Sequence, residues 1–464
     1  MKKNGFNALS LSVLLAVSST SIAATENITA IDTLSGAALP YQILRNDLID
    51  HAKPGNKIEV RNGGFGSDMT AHPSHENQFY ALTDRGPNAT YKKGHHGKGK
   101  IFPTPNYTPR IGLFEVNEYG NVELIKVILL KKPDGSPISG LPNSSDIGGT
   151  GETPYDTKGN PITQHPSKAF DPSNNPLKLD DYGLDGEGLV AMQDGTFWVS
   201  DEYGPHIVHF DQDGIEMDRI NAFTHDTRAK FNLPAEYANR RPNRGMEGLA
   251  ITPDETTLVG TMQSTMYNPD KKVKALDLAR IVTINLETGK TGQYLYKQEK
   301  AQNSNSGIAA ISQNEFVIIE RDGAFYRDNP QAMKHIYRID LANATNLEGI
   351  PNSTDLIQDD KLGLMINGQT LEQAVNAHGW DVLEKYNIKP VTKSLVVDLV
   401  KEIKYPHDKL EGMWLIDSRT LGVINDDDFA TWASKGKLEQ KYLNKEKTRI
   451  DNNTLYIFND LNLK

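Results

Sequence analysis

The strongest constraint in this chain is a short unit that keeps returning. A glutamate and a glycine precede an apolar run, a tight turn follows, and a second run ends in acids. The fullest copy is residues 184–220, LDGEGLVAMQDGTFWVSDEYGPHIVHFDQDGIEMDRI. Residues 189–192 are apolar, 193–195 turn around Gly195, and 196–200 are rich in the aromatic and β-branched residues that strands prefer. Gly204-Pro205 breaks that strand, residues 206–210 make a third, and 215–220 a fourth after a second Asp-Gly turn. A four-stranded meander that recurs along a chain is the unit of a β-propeller.

Weaker copies occur at residues 63–87, 243–263, 305–323 and 409–429. Each has the same order of strand, turn and strand, with acids at equivalent points. The pattern predicts an all-β fold, a β-propeller of four-stranded antiparallel blades. Five units are visible, and residues 28–34 offer an early strand to pair with the other end of the chain. That closure favours six blades, with five or seven also compatible. Three insertions interrupt the ring. Residues 131–183 are polar and rich in Pro, Gly and Asn, which predicts an extended loop. Residues 221–245 carry the basic run Arg240-Arg241-Pro242-Asn243-Arg244. Residues 349–404 predict a small helical cap, with Thr392 as N-cap and Leu395, Val396, Leu399, Val400 and Ile403 at helical spacing.

Residues 1–23 are expected to be an address rather than structure. Lys2 and Lys3 precede an apolar run at 8–17, and Ser21-Ile22-Ala23 offers small residues for cleavage near Ala23. The remainder, 24–464, is expected to be one propeller domain in a periplasmic or secreted protein. With no cysteine there is neither a disulfide framework nor a thiol for lipid attachment. A net charge of −10 argues against nucleic acid as a partner and means that an anionic substrate needs a local cluster of cations.

The acids carry the chemistry. Glu187 precedes one strand and Asp201 and Glu202 follow its neighbour, so a hairpin brings them to the same end. If the units are blades, Asp84, Glu187, Asp201, Glu202, Glu247, Glu320, Glu411 and Asp426 to Asp428 surround one axis. Crowded carboxylates must hold protons or a cation. All-oxygen donors suit a hard ion, Ca²⁺ before Mg²⁺ or Mn²⁺. Arg85, Arg244 and Arg321 stand beside these acids and present the paired donors that match phosphate or carboxylate oxygens. No G-x-S-x-G, P-loop, H-E-x-x-H or EF-hand loop is present.

Several of these stretches are similar to the phytase-like family labelled as having esterase-like activity of phytase. They are Leu82-Thr83-Asp84-Arg85-Gly86-Pro87, Asp185-Gly186-Glu187-Gly188-Leu189 and Trp198-Val199-Ser200-Asp201-Glu202-Tyr203-Gly204. Asn243-Arg244-Gly245-Met246-Glu247-Gly248-Leu249-Ala250 and Leu410-Glu411-Gly412 complete the set. The resemblance implies a secreted, propeller-like hydrolase of phosphate esters that depends on Ca²⁺. On that reading Glu187, Asp201, Glu247, Glu320 and Glu411 are the metal ligands. Asp84 and Glu202, with Glu187, act on the attacking water, and Arg85, Arg244 and Arg321 steady the substrate anion. Two alternatives use the same rim: a lactonase or carboxylesterase, and a non-catalytic propeller that binds a glycan, a polyphosphate or a protein.

Overall fold

The computed structural model describes Ile28 and residues 30–463; the expected address segment lies outside the described residues. Five sheets of four or more strands follow one another along the chain. The first runs through Asp68–Ala71, Gln78–Leu82, Arg110–Val116 and Val122–Leu129. The second is Gly186–Ala191, Phe197–Asp201, His206–Phe210 and Glu216–Asn221, with Ala229–Asn232 added in parallel at its outer edge. The third is Met246–Ile251, Thr257–Met262, Leu278–Asn285 and Thr291–Lys297, and the fourth is Ser304–Ala310, Glu315–Arg321, Lys334–Asp340 and Thr392–Asp398. The fifth holds Gly412–Leu415, Leu421–Ile424 and Thr454–Phe458, and Ala37–Ala38 from the other end of the chain completes it. An early strand does close the last sheet, but it lies at 37–38 and not at 28–34. The count among the described residues is five, where the spacing favoured six.

Neighbouring sheets stack face to face through five apolar clusters, one at each junction. Leu82 and Ile111 meet Val199 and Phe210 between the first and second sheets. Trp198 and Ile207 meet Leu249 and Val282 between the second and third. Ile281 and Ile318 join the third to the fourth, Ile336 and Val423 the fourth to the fifth. Phe79 and Trp414 pack with ring centres 4.9 Å apart where the fifth returns to the first. A strand packed on both faces needs apolar residues on both, which is why Phe197–Asp201 is buried throughout its length.

The first strands of the five sheets also touch in the same cyclic order. That approach is possible because a glycine stands at the contact. A Cβ built on Gly188 would lie 2.7 Å from the backbone nitrogen of Leu249 in the next sheet. One on Gly412 would lie 3.0 Å from the Asp68 carbonyl carbon. The glycine of each Glu-Gly pair is thus set by packing. Gly188→Ala is expected to cost about 1–3 kcal/mol by overpacking, read as a lowered urea midpoint. An unchanged midpoint would show that the ring opens at no cost.

Two insertions differ from expectation. Thr392–Asp398 is a strand, with exposed Leu395 on its outer face, and it supplies the fourth strand of the fourth sheet. The N-cap is therefore Asp398, which accepts from Lys401 N and starts the short helix Leu399–Ile403. A free edge on Lys334–Asp340 outweighed the local helical spacing. The helical part is Leu371–His378, capped by Thr370 and Gln373, followed by Asp381–Lys385. Residues 131–183 are not structureless. Thr153–Tyr155 pairs in parallel with Gly99–Ile101, which pairs with Ala89–Tyr91.

Candidate functional site

The glutamates of the Glu-Gly pairs are placed by irregular pairing at the start of each first strand. Gly186 pairs with Asp201 and Gly188 with Ser200, so Glu187 has no cross-strand partner. Glu247 is skipped in the same way between Met246 and Gly248. Glu411 precedes Gly412 in the fifth sheet. In the fourth sheet the skipped residues are Ser306 and Gly307, so a serine stands where the others carry an acid. In the first sheet Asp68 accepts from Leu189 N of the second sheet at 2.8 Å, bridging two sheets at the axis.

These carboxyls are buried together. One oxygen each from Asp84, Asp185 and Glu187 lies within 4.8 Å of the others. Burial drives all three carboxyls upward in pKa. Asp84 is raised further by Asp426 and Asp185, and Glu187 by Glu247 and Asp185. Asp185 is raised to about 7 by burial, even with the Arg85 guanidinium opposing it. Glu247 is pushed well up by burial and then by the charges of Glu202 and Glu411. Glu411 is raised to about 7 by burial, against Lys409 and Arg321. Among the described residues, no cation lies within 4 Å of the carboxylates of Asp84, Glu187 or Glu247. The pit is short of positive charge.

The cations fall into two groups. Arg85 is committed. It pairs with Asp185, stands 3.5 Å from Glu152 and 3.7 Å from Glu202, and donates to Asn243 at 3.2 Å. Arg321 pairs with Glu411 and donates to Ser306 at 3.0 Å. Lys409 pairs with Asp426 and lies 2.8 Å from Asp428, while Lys441 lies 2.6 Å from Asp428 and 2.9 Å from Asp408. Burial would raise Asp428, but those two ammonium groups hold it below the usual range. Asp427 stands apart from those ion pairs, accepts from Phe429 N at 2.9 Å, and is raised to about 8 by burial and by Asp426. In contrast, Arg244 is half-buried and bonds a carbonyl, that of Gln302, at 3.4 Å. Burial, then Arg241 and Arg321, lower its pKa, against the opposing charges of Glu247 and Glu202.

The structure thus brings together Asp84, Arg85, Glu187, Glu202, Arg244, Glu247, Arg321 and Glu411. It takes two expected ligands elsewhere. Glu320 accepts from Tyr296 (2.8 Å), Asn303 (2.8 Å) and Glu299 N (2.7 Å), and pairs with Lys393 at 3.1 Å. Asp201 Oδ1 accepts from Gly204 N and His206 N, fixing the turn after its strand, and burial raises this carboxyl to about 6. Alternation explains both cases, because Arg321 and Glu202 are the next residues and point the other way. Alternation also marks residues that the motif reading passed over. Asp185 and Lys409 stand two positions before Glu187 and Glu411, hence on the same side. Lys100, whose charge acts on Asp185, has no such signal.

A family model described as phytase-like, esterase-like activity of phytase, matches residues 60–429, a span from just before the first sheet to the acids of the fifth. The chain belongs to this family. A relative of 30% identity over 240 residues is an uncharacterized secreted protein of Arthroderma benhamiae; the match covers 43% of this chain and 45% of that one. The phytase-like chain therefore spans less than half the length of that relative. Among solved structures, the PQQ-bound aldose sugar dehydrogenase of Streptomyces coelicolor is 10% identical, with a TM-score of 0.31 over 91% of this chain and 99% of that one. The hydrazine synthase of Kuenenia stuttgartiensis is also 10% identical, with a TM-score of 0.31 over 79% and 94%.

The donor set of the phytase-like site fits a hard cation. Ligands on one Ca²⁺ at 2.3–2.6 Å are at most about 5 Å apart, which the spread of Asp84, Asp185 and Glu187 satisfies. Glu247 Oε2 and Glu411 Oε2 are buried without a hydrogen-bond partner, so the pit holds oxygen lone pairs that the protein itself does not satisfy. Among the described residues no helix is long and apolar enough to cross a membrane.

Proposed function

We propose that this phytase-like chain is an exported hydrolase of phosphate esters that works with a hard cation, Ca²⁺ first, on a five-bladed propeller. The observation that carries this reading is the buried trio Asp84, Asp185 and Glu187, whose oxygens gather within 4.8 Å although Asp84 and Glu187 have no cation within 4 Å among the described residues. These three residues would hold the ion, in place of the wider set Glu187, Asp201, Glu247, Glu320 and Glu411. When bound, the ion supplies Lewis acidity and offsets phosphoryl charge. Glu202 and Glu247, whose charges act on one another in the pit, accept and pass on the proton of the attacking water. Arg244 and Lys100, less committed than Arg85 and Arg321, orient the anionic group. Residues 140–152 are tied to the site at two points: Tyr203 donates to the Gly140 carbonyl at 2.7 Å, and Glu152 lies 3.5 Å from Arg85. Export rests on the charged and apolar start of the chain and on the secreted relative.

The test joins metal analysis of the purified protein to an ester panel assayed with chelator and with Ca²⁺. Expected are stoichiometric metal, turnover of a phosphate monoester that chelator abolishes and Ca²⁺ restores, and a loss of about 10²–10³-fold in Glu187→Gln. Turnover of lactones or carboxylic esters alone would move the chemistry from phosphorus to a carbonyl. Stabilisation by Ca²⁺ with no turnover across the panel would leave a binding protein. Metal content and activity unchanged in Glu187→Gln would remove the assignment altogether.

A further inference from the structure

Beyond the central pit, the protein has a cleft of about 420 Å³ between the loop after Arg321 and the hairpin Thr431–Ser434/Lys437–Gln440. Its walls are aromatic and its edge is polar with both signs of charge. Trp432 is 38% exposed, whereas Trp198 and Trp414 are buried, so this indole faces the solvent by placement. It meets Phe325 edge-on at 6.4 Å, the Lys441 ammonium lies 5.6 Å from its ring centre, and no other ring stacks on it among the described residues. Phe325 is backed by Arg327, whose guanidinium lies 4.0 Å over the ring and is anchored to the Tyr442 carbonyl. Around the rings stand the carboxylates of Asp328, 3.2 Å from Arg327 and 3.9 Å from Lys445, and of Glu439, which accepts from Ser434 Oγ at 2.9 Å. Lys441 forms part of the floor and joins the cleft to Asp428 of the pit.

We propose that this cleft is a carbohydrate-binding subsite that takes a sugar ring on the face of Trp432. A pyranose presents axial C–H bonds to an aromatic face and hydroxyls, each both donor and acceptor, around its edge. An indole platform ringed by separate donors and acceptors matches that distribution. A purely apolar aryl ligand would instead cover the Asp328 and Glu439 carboxylates without using their remaining acceptor capacity, which costs affinity. The volume falls at the low end of small-molecule sites and suits one or two rings. Because Trp432 and the central carboxylates belong to separate groups of side chains, this binding stands whether or not the pit is a hydrolase site.

The experiment follows intrinsic tryptophan fluorescence and titration heat of the full chain against neutral oligosaccharides of glucose, N-acetylglucosamine and galactose, uronic-acid oligomers, and p-nitrophenol as the aryl control. Expected are saturable binding of at least one saccharide, a loss of tenfold or more in Trp432→Ala, and a smaller loss in Trp432→Phe. Glu187→Gln should bind the same sugar unchanged, which separates this site from the pit. Trp432 is on an exposed hairpin, and a melting temperature equal to wild type checks that the variant is folded. Binding to no saccharide, binding indifferent to Trp432→Ala, or binding of p-nitrophenol alone would each overturn the proposal.

Discussion

Arg280→Met is expected to lower the unfolding free energy by about 3–5 kcal/mol, among the largest effects of a single substitution outside the pit. Arg280 is fully buried on Leu278–Asn285 of the third sheet. Its Nε and Nη2 donate to the two oxygens of Glu372 at 2.9 and 3.0 Å, and Nη1 donates to Glu236 at 3.1 Å and Gln293 at 2.9 Å. Glu372 is in the first turn of the helix Leu371–His378, so this one guanidinium ties the helical insertion to the sheet. Methionine fills the volume but strands two buried carboxylates. The cost comes from those uncompensated charges, since replacing a whole buried ion group with apolar residues is often neutral. Arg280→Met with Glu372→Gln should therefore recover part of the loss. Urea titration reads both variants, and a single variant with the wild-type midpoint would show that solvent reaches the group.

On the proposed hydrolase reading, Arg85→Met is expected to lower ester turnover by about 10²-fold at pH 7, and on any reading to destabilise the protein more at alkaline than at acid pH. Arg85 is 5% exposed and holds Asp185, Glu152 and Glu202 apart. Burial raises Asp185 to about 7 in the folded protein, and Arg85 is the main charge pulling it down. An unfolded aspartate titrates near ~3.9. A folded value above that contributes stability below the unfolded value and loses it as pH rises through the folded one. In wild type that loss is complete a little above pH 7. Without Arg85 the folded value climbs, and the loss continues into the alkaline range. Urea midpoints at pH 5 and pH 9 should show the smaller deficit at pH 5. Equal deficits would mean that Asp185 is not the group Arg85 governs. Arg85→Lys should restore part of the stability and less of the turnover, because an ammonium cannot contact three partners in a plane.

Much of the central site was legible because strand geometry is local. The Glu-Gly pairs repeat at one point of a repeating hairpin, so Glu187, Glu247 and Glu411 had to meet if the hairpins formed a ring. Alternation then separates neighbours: Arg321 reaches Glu411 while Glu320 turns to Tyr296 and Lys393. Applied to residues two positions apart, the same rule would have found Asp185 and Lys409. Lys100, Glu152 and Lys441 arrive on insertions and hairpins whose path no periodicity describes. The segment 392–403 shows the opposite failure. Its helical spacing was real, but the unpaired edge of Lys334–Asp340 offered backbone hydrogen bonds across the first seven residues, and the helix kept only the rest.

By itself, the sequence determined the strand-turn-strand units, the glycines that let inner strands touch, and the surplus of acids at one end of each hairpin. Those follow from side-chain period and steric size, which act over a few residues. Tertiary structure alone decided how many sheets close the circle, which early residues seal it, and which cations reach the pit. Closure is a sum over all five sheet junctions, and pairing across hundreds of residues depends on where the chain returns. Short-range pattern carries no record of either.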